Sequence, residues 1–342
     1  MAATAAAKFF SKGKGGSMHY KKSEAKEWAR TAYVGLDTTI LPCFTPDTLE
    51  LDEAGIRHDM RMLVPQGFFA VTLVSGGEAG TTRAEDERFV EWCVDEARGK
   101  VGVTLNLRSP TLQENIAMAR HAEAVGCHSV MISYPTNFHP RDENEIYEYT
   151  KAICDSTRLG VILFPSVKND FPAPYRVSAR TLARLADLEN VVAMKIGVLE
   201  WTWFDECFRL FGDRALISYP FDDAWPTMIR KYGMQWSGAA PWHNFQTAED
   251  PCSVRLFDWI REGRMDEASE LYWRMDPLRK AILSIALLSA NMGMYNFDQW
   301  KYCDELVGLT GGEMRMPKLT LFPWQRVQLR QAMIASGLKP VK

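Results

Sequence analysis

No G-x-G-x-x-G turn follows the first candidate strand of this 342-residue chain, so a dinucleotide-binding open sheet would lack its phosphate loop. No run of about 18 apolar residues exists to span a membrane. The most apolar stretch, Ala281 to Ala290, is about half that length and reads as a buried helix. A formal net charge of −3 provides no basic field for nucleic acid. The seven cysteines (Cys43, Cys93, Cys127, Cys154, Cys207, Cys252, Cys303) are odd in number and contain no C-x-x-C pair. That argues against a disulfide framework and a structural zinc site, and fits reduced thiols in a cytoplasmic protein. His19, His58, His121, His128 and His139 share no metal-ligand spacing, so neither a metal nor another cofactor is expected. The first 22 residues lack acidic side chains and a core-forming pattern. Residues 1–30 are therefore read as a flexible arm, basic or appended, outside the fold.

From Tyr33 onward one rhythm repeats: short β-branched, apolar runs alternate with amphipathic helical stretches. The runs 34–41, 68–75, 101–106, 129–134, 160–165, 190–196, 215–219 and 234–239 predict strands. They are apolar at nearly every position, as two-sided burial in a parallel sheet requires. Eight βα units predict an α/β fold of the (β/α)8 barrel type over 31–263, with an open doubly wound sheet as the alternative. Residues 264–342 predict a helical extension: two or three helices over 264–308, a Gly- and Pro-containing segment, and a last helix over 323–337.

Lys195 interrupts the apolar strand Asn190 to Gly197. Burial there penalises its charged form and populates the neutral amine, the form that attacks a ketone to give an imine. A lysine that pairs with a carboxylate is the plainer alternative. Ser75, Gly76, Gly77 and Glu78 end the second strand. Adjacent glycines at the C-terminal rim of a barrel let backbone N–H groups approach a ligand carboxylate; an ordinary tight turn would look the same.

Ser75 to Glu78 followed by Thr81 to Asp86, the Val191 to Lys195 strand, Phe221-Asp222-Asp223, and Gly311 to Pro317 occur in an order and spacing that resemble the dihydrodipicolinate synthase / N-acetylneuraminate lyase family. The resemblance covers residues 31–340. Asp170 to Tyr175 and Trp236 to Ala239 are similar to segments of its trans-o-hydroxybenzylidenepyruvate hydratase-aldolases. The resemblance implies Lys195 as the imine-forming lysine, and Ser75, Gly76 and Gly77 as the cradle of a 2-oxo acid carboxylate. It also implies Phe164, Trp236 and Gly238 as site-lining residues, and a homo-oligomer, dimer or tetramer. It departs at Phe164, where the family places a relay tyrosine, and at Gly76, where it places a hydroxyl.

Candidates for the missing proton carrier are Tyr134, at the end of the fourth strand, then His243, Glu78, Asp222 and Asp223. Of these Tyr134 is preferred. His243 reads as a loop histidine touching nothing, and Asp222 as the N-cap of the helix that holds Pro226. Trp201, Trp203, Phe204, Trp225, Trp236 and Trp242 flank the last strands and predict an apolar cleft, with helix packing accounting for about half of them. Only Lys168 and Arg176 lie near enough to suit an anionic acceptor. The expected activity is a Schiff-base carbon–carbon lyase or hydratase acting on pyruvate or a substituted 2-oxo acid with an aromatic or apolar aldehyde. The alternatives are a barrel that binds a 2-oxo acid without aldol turnover, and a 2-oxo acid dehydratase using the same lysine.

Overall fold

The computed structural model describes residues 20–165, 177–197, 200–291 and 295–341. The segment Asp170 to Tyr175, with Lys168 and Arg176, lies outside the described residues.

The eight strands fall where the apolar runs predict them: β1 Gly35–Ile40, β2 Ala70–Leu73, β3 Gly102–Leu107, β4 Ser129–Ile132, β5 Gly160–Leu163, β6 Val191–Lys195, β7 Leu216–Ser218 and β8 Trp236–Ala240. All pairings are parallel, in the order β7-β6-β5-β4-β3-β2-β1-β8. The remaining seam, between β7 and β8, is stitched by side chains. The Gly238 N–H donates to Ser218 Oγ at 2.9 Å, and Ser237 Oγ donates to the Tyr219 carbonyl at 3.1 Å. Helices alternate with the strands: α1 Ala25–Ala32 before β1, then α2 Glu53–Leu63, α3 Arg83–Ala97, α4 Leu112–Val125, α5 Glu143–Ser156, α6 Ala179–Ala186, α7 Trp201–Phe211, α8 Trp225–Tyr232 and α9 Cys252–Glu262. Side chains that compete for backbone N–H groups start several of them: Asp52, Thr82, Thr111, Asp142 and Ser178 each cap a first turn. The extension adds α10 Met265–Arg274, α11 Asp276–Asn291, α12 Phe297–Leu306 and α13 Pro323–Ala335. No described helix is long and apolar enough to cross a membrane.

Two apolar layers follow from strand alternation. One set of residues (Leu36, Ile40, Val71, Leu73, Val103, Leu105, Val130, Ile132, Val161, Leu163) packs outward against the helices. The opposite set, including Met131, Ile162, Phe164 and Trp236, fills the barrel.

The N-terminal arm ends earlier than the sequence reading has it. Residues 25–32 form a helix whose Ala25, Trp28, Ala29 and Ala32 are buried on one face, a spacing of three and four residues. This face joins the barrel-filling layer. Tyr20 donates to the His128 carbonyl at 2.6 Å and accepts from the Gly160 N–H at 2.7 Å, at the N-terminal ends of β4 and β5. Trp28, Tyr33, Phe69 and Trp236 continue the seal ring on ring, with centroids 5.3–5.5 Å apart from Tyr33. Residues 20–32 thus close the floor of the barrel.

Candidate active site

Lys195 is the last residue of β6, at the C-terminal rim where barrel enzymes place their chemistry. Its neighbours Met194 and Ile196 point to the helix layer, so Lys195 points into the barrel. It is 7% exposed. Nζ donates to the Ala239 carbonyl at 2.5 Å and stands 3.9 Å from the centre of the Phe164 ring. Phe164, the residue after β5, is the position at which the resemblance leads one to expect a phenol. Here an aromatic face supports the amine and supplies no exchangeable proton.

The β8 backbone is shaped around this contact. Leu36 pairs with Ser237 and Thr38 with Ala240, so two residues of β8, Gly238 and Ala239, face one residue of β1, Asp37. The extra residue makes a bulge, and Ala239 takes a φ of +29°. Beneath it lies the Trp236 ring, so Trp236 floors the site from inside the barrel.

The loop after β2 is tied down internally. Ser75 is buried, and its hydroxyl donates to the Asn106 carbonyl at 3.1 Å. Gly76 has φ +84° and ψ −167°, open to glycine but strained for other residues. Its N–H already donates to Thr81 Oγ1 at 3.0 Å and to Asp86 Oδ1 at 3.1 Å, which corrects its expected role as a carboxylate donor. Burial pushes Asp86 up to about 6 against the hydrogen bonds from Thr81 and Gly76. Gly77 opens a single 3-10 turn, and a helix start leaves its first N–H groups without intrahelical partners.

The proton-carrier candidates scatter. Tyr134 shares the parity of Val130 and Ile132, so its ring enters the helix layer, stacking on Phe138 and lying near Tyr149. Its hydroxyl lies 2.6 Å from Thr150 Oγ1 of α5. This geometry gives Tyr134 a packing role and turns it from Lys195. His243 does not touch nothing: it is buried, with Nδ1 2.8 Å from Thr38 Oγ1 and Nε2 2.8 Å from Asp304 Oδ1 of α12. Asp222 is no helix cap; it forms an ion pair with Arg279 of α11 at 2.8 Å. α8 starts at Trp225 with Pro226 in its first turn, as expected. Burial raises Asp222 and Asp223, and raises Glu78 against the pull of Arg108.

The aromatic cleft is smaller than expected. Trp225 packs on Trp242 and Phe257 in the helix layer, and Phe204 is fully buried there. Trp201 is exposed and stacks on Tyr232.

Two polar residues at the site went unnoticed in the sequence. Asp37 of β1 is 1% exposed and accepts from Thr72 Oγ1 at 2.8 Å. Its signal was the one used for Lys195, a charge inside an apolar strand. Arg108, just beyond β3, is buried and pairs with Glu78 at 3.0 Å. Arg108 and Glu78 line a cavity of about 290 Å³ that also meets Thr136, Asn137, Arg315 and Lys318. This cavity shares Gly77 with the β2 loop but has no wall from β5 to β8, so it lies beside the lysine rather than over it.

The sequence profile of the Dihydrodipicolinate synthetase family matches residues 34–334. The chain belongs to this family. It is thereby a Schiff-base lyase of the aldolase type. Named relatives include the 4-hydroxy-tetrahydrodipicolinate synthase of Afipia carboxidovorans, 26% identical over 84% of this chain and 92% of that protein. That of Bradyrhizobium diazoefficiens is 25% identical over 91% and 99%. These carry the synthase name, not the hydratase-aldolase name to which the Asp170 and Trp236 segments pointed. Among solved structures, the fold is shared with dihydrodipicolinate synthase of Cyanidioschyzon merolae (TM-score 0.77, 21% identity, 90% of this chain and 99% of that one). It is likewise shared with N-acetylneuraminate lyase of Fusobacterium nucleatum (TM-score 0.74, 17% identity, 90% and 99%).

Proposed function

We propose that Lys195 forms an imine with pyruvate or a substituted 2-oxo acid, and that the enzyme makes or breaks the bond from the adjacent carbon to an aromatic or otherwise apolar aldehyde. The observation that carries this reading is the buried Lys195 amine at the barrel rim, held by the Ala239 carbonyl and backed by the Phe164 ring. The Ser75 hydroxyl, turning from Asn106, and the Gly77 N–H receive the substrate carboxylate. The protonated imine then withdraws electrons from the neighbouring carbon and stabilises the carbanion common to aldol cleavage, addition and dehydration. Phe164 favours an apolar partner next to the lysine, whereas the paired charges at Arg108 and Glu78 belong to the neighbouring cavity. The chain acts as a homo-oligomer, in keeping with its family.

Incubation with pyruvate and sodium borohydride, followed by peptide mapping, tests the reading. A reduced pyruvate adduct on the Lys195 peptide supports it. Absence of an adduct with pyruvate and with larger 2-oxo acids refutes it. A panel of arylidene-pyruvates against aspartate semialdehyde then decides the partner. A second reading, binding of the 2-oxo acid without turnover, is favoured by two observations: Phe164 lacks a hydroxyl, and the Tyr134 hydroxyl lies against Thr150. An adduct without turnover of any aldehyde would support it.

A further inference from the structure

The last helix is apolar on the face it turns away from the molecule. On its inner side α13 buries Gln325, Leu329 and Met333, four residues apart. Its Arg326 guanidinium lies over the Tyr302 ring of α12, and Ser336, just past its end, accepts from the Leu278 N–H of α11 at 3.1 Å. The helix is thus held along one side. On the other side stand Trp324, Val327, Gln331 and Ile334, separated by three, four and three residues. That spacing places them in one row, opposite Leu329. A surface helix normally carries polar and charged side chains there. Here Trp324 is 63% exposed, Val327 55% and Ile334 54%, and Phe322, directly before the helix, is 54% exposed. Exposed apolar residues scattered singly are ordinary, but a contiguous row marks a contact surface.

The row has the form of a seam. Alternate steps of three and four are the register in which one helix seats its side chains between those of another. Among the described residues no element of this chain covers it, since its three apolar members are each more than half exposed. The row is also its own complement. Trp324 and Ile334 each lie five residues from Leu329, and Val327 and Gln331 each lie two. A second copy turned end for end therefore sets Trp324 against Ile334 and Val327 against Gln331, and repeats both pairs by symmetry. One polar member in such a seam fixes its register.

The area is sufficient. At these exposures the two aromatic side chains supply on the order of 200 Å² per copy, and Val327 and Ile334 roughly 100 Å² more. Two copies bring together about 600 Å² of apolar surface. The exposed Pro323, Gln328, Gln331 and Ala335 border the row. With them the contact reaches the ~1,000 Å² that a specific interface needs. We infer that this row is a contact between two copies of the chain, α13 against α13, antiparallel about a twofold axis. The inference rests on the homo-oligomer reading and names one of its surfaces.

The experiment is sedimentation velocity of the full-length protein over a concentration series, for the parent and for Trp324→Glu, with disulfide trapping of a Val327→Cys, Gln331→Cys double variant. The parent is expected to be an oligomer, and Trp324→Glu to halve the particle mass by weakening this contact about a hundredfold. Mild oxidation of the double variant is expected to give a covalent dimer. The seven native cysteines are buried, so the introduced thiols are the ones that react. An oligomeric parent whose mass Trp324→Glu leaves unchanged, or a double variant that gives no covalent dimer, overturns the inference while the homo-oligomer reading stands; the row then serves a different protein. If Trp324→Glu fails to fold, the disulfide trapping decides alone. A parent that stays monomeric at every concentration defeats the homo-oligomer reading itself.

Discussion

A Cβ atom on Gly238 would stand 2.3 Å from the Trp236 ring, two residues earlier on the same face of β8. The indole fills the space that a side chain would occupy, and the barrel floor depends on that exchange. Gly238→Ala is expected to lower stability by about 2–3 kcal/mol, in the range of an overpacked core. Trp236→Leu combined with Gly238→Ala should recover part of the loss. Thermal melts of the two single variants and the pair measure it; additive losses would contradict the relationship.

Lys195→Met removes a buried cation and substitutes an apolar chain of similar length. The variant should form no borohydride adduct, yet be as stable as the parent or more so by about 1–3 kcal/mol. Circular dichroism melts and intact mass separate the two effects. A variant that still turns over 2-oxo acid would remove Lys195 from the mechanism.

The C-terminal segment is fastened to the β2 loop by Arg315. Its guanidinium makes two 2.8 Å contacts to Glu85, and it also donates to the carbonyls of Leu49 and Gly80. Arg315 chiefly holds the Glu85 carboxyl down to about 2, from an ordinary 4.5. A depressed carboxylate stabilises the fold above the unfolded value and loses that contribution as pH falls through the folded one. Glu85→Gln should therefore cost on the order of 2 kcal/mol at pH 7, with the gap closing between pH 4.5 and 2. Urea titrations at these pH values test the sign; a gap that widens in acid would reverse it.

His243 bridges Thr38 of β1 and Asp304 of α12, joining the extension to the barrel. His243→Ala leaves a buried carboxylate without this partner and should cost about 2–3 kcal/mol. Borohydride trapping at saturating 2-oxo acid should be unchanged. Loss of trapping in a folded variant would place His243 in the chemistry instead.

The strands were legible because two-sided burial leaves an unbroken apolar signature. The same two-sided burial hides which way each residue points. With apolar residues on both faces of β4, nothing in the sequence distinguished a Tyr134 facing the lysine from one facing Thr150. The aromatics after β7 and β8 were ambiguous for the same reason, and Trp225 and Trp242 proved to be helix-layer packing. His243 and Asp304 are 61 residues apart, and no local pattern links them. Lys195 was legible as a charge among apolar neighbours; Asp37 carried that mark too but had no family motif to draw attention to it.

Among the described residues, the floor sealed by Tyr20, Trp28, Tyr33, Phe69 and Trp236 leaves the barrel open at its C-terminal rim. Substrates, products and water then share the route past the loops of that rim. If Lys195 forms the proposed imine, the 2-oxo acid on it arrives before its partner and departs after it. On that reading turnover is an ordered queue, and a molecule lodged at the rim would trap the imine behind it.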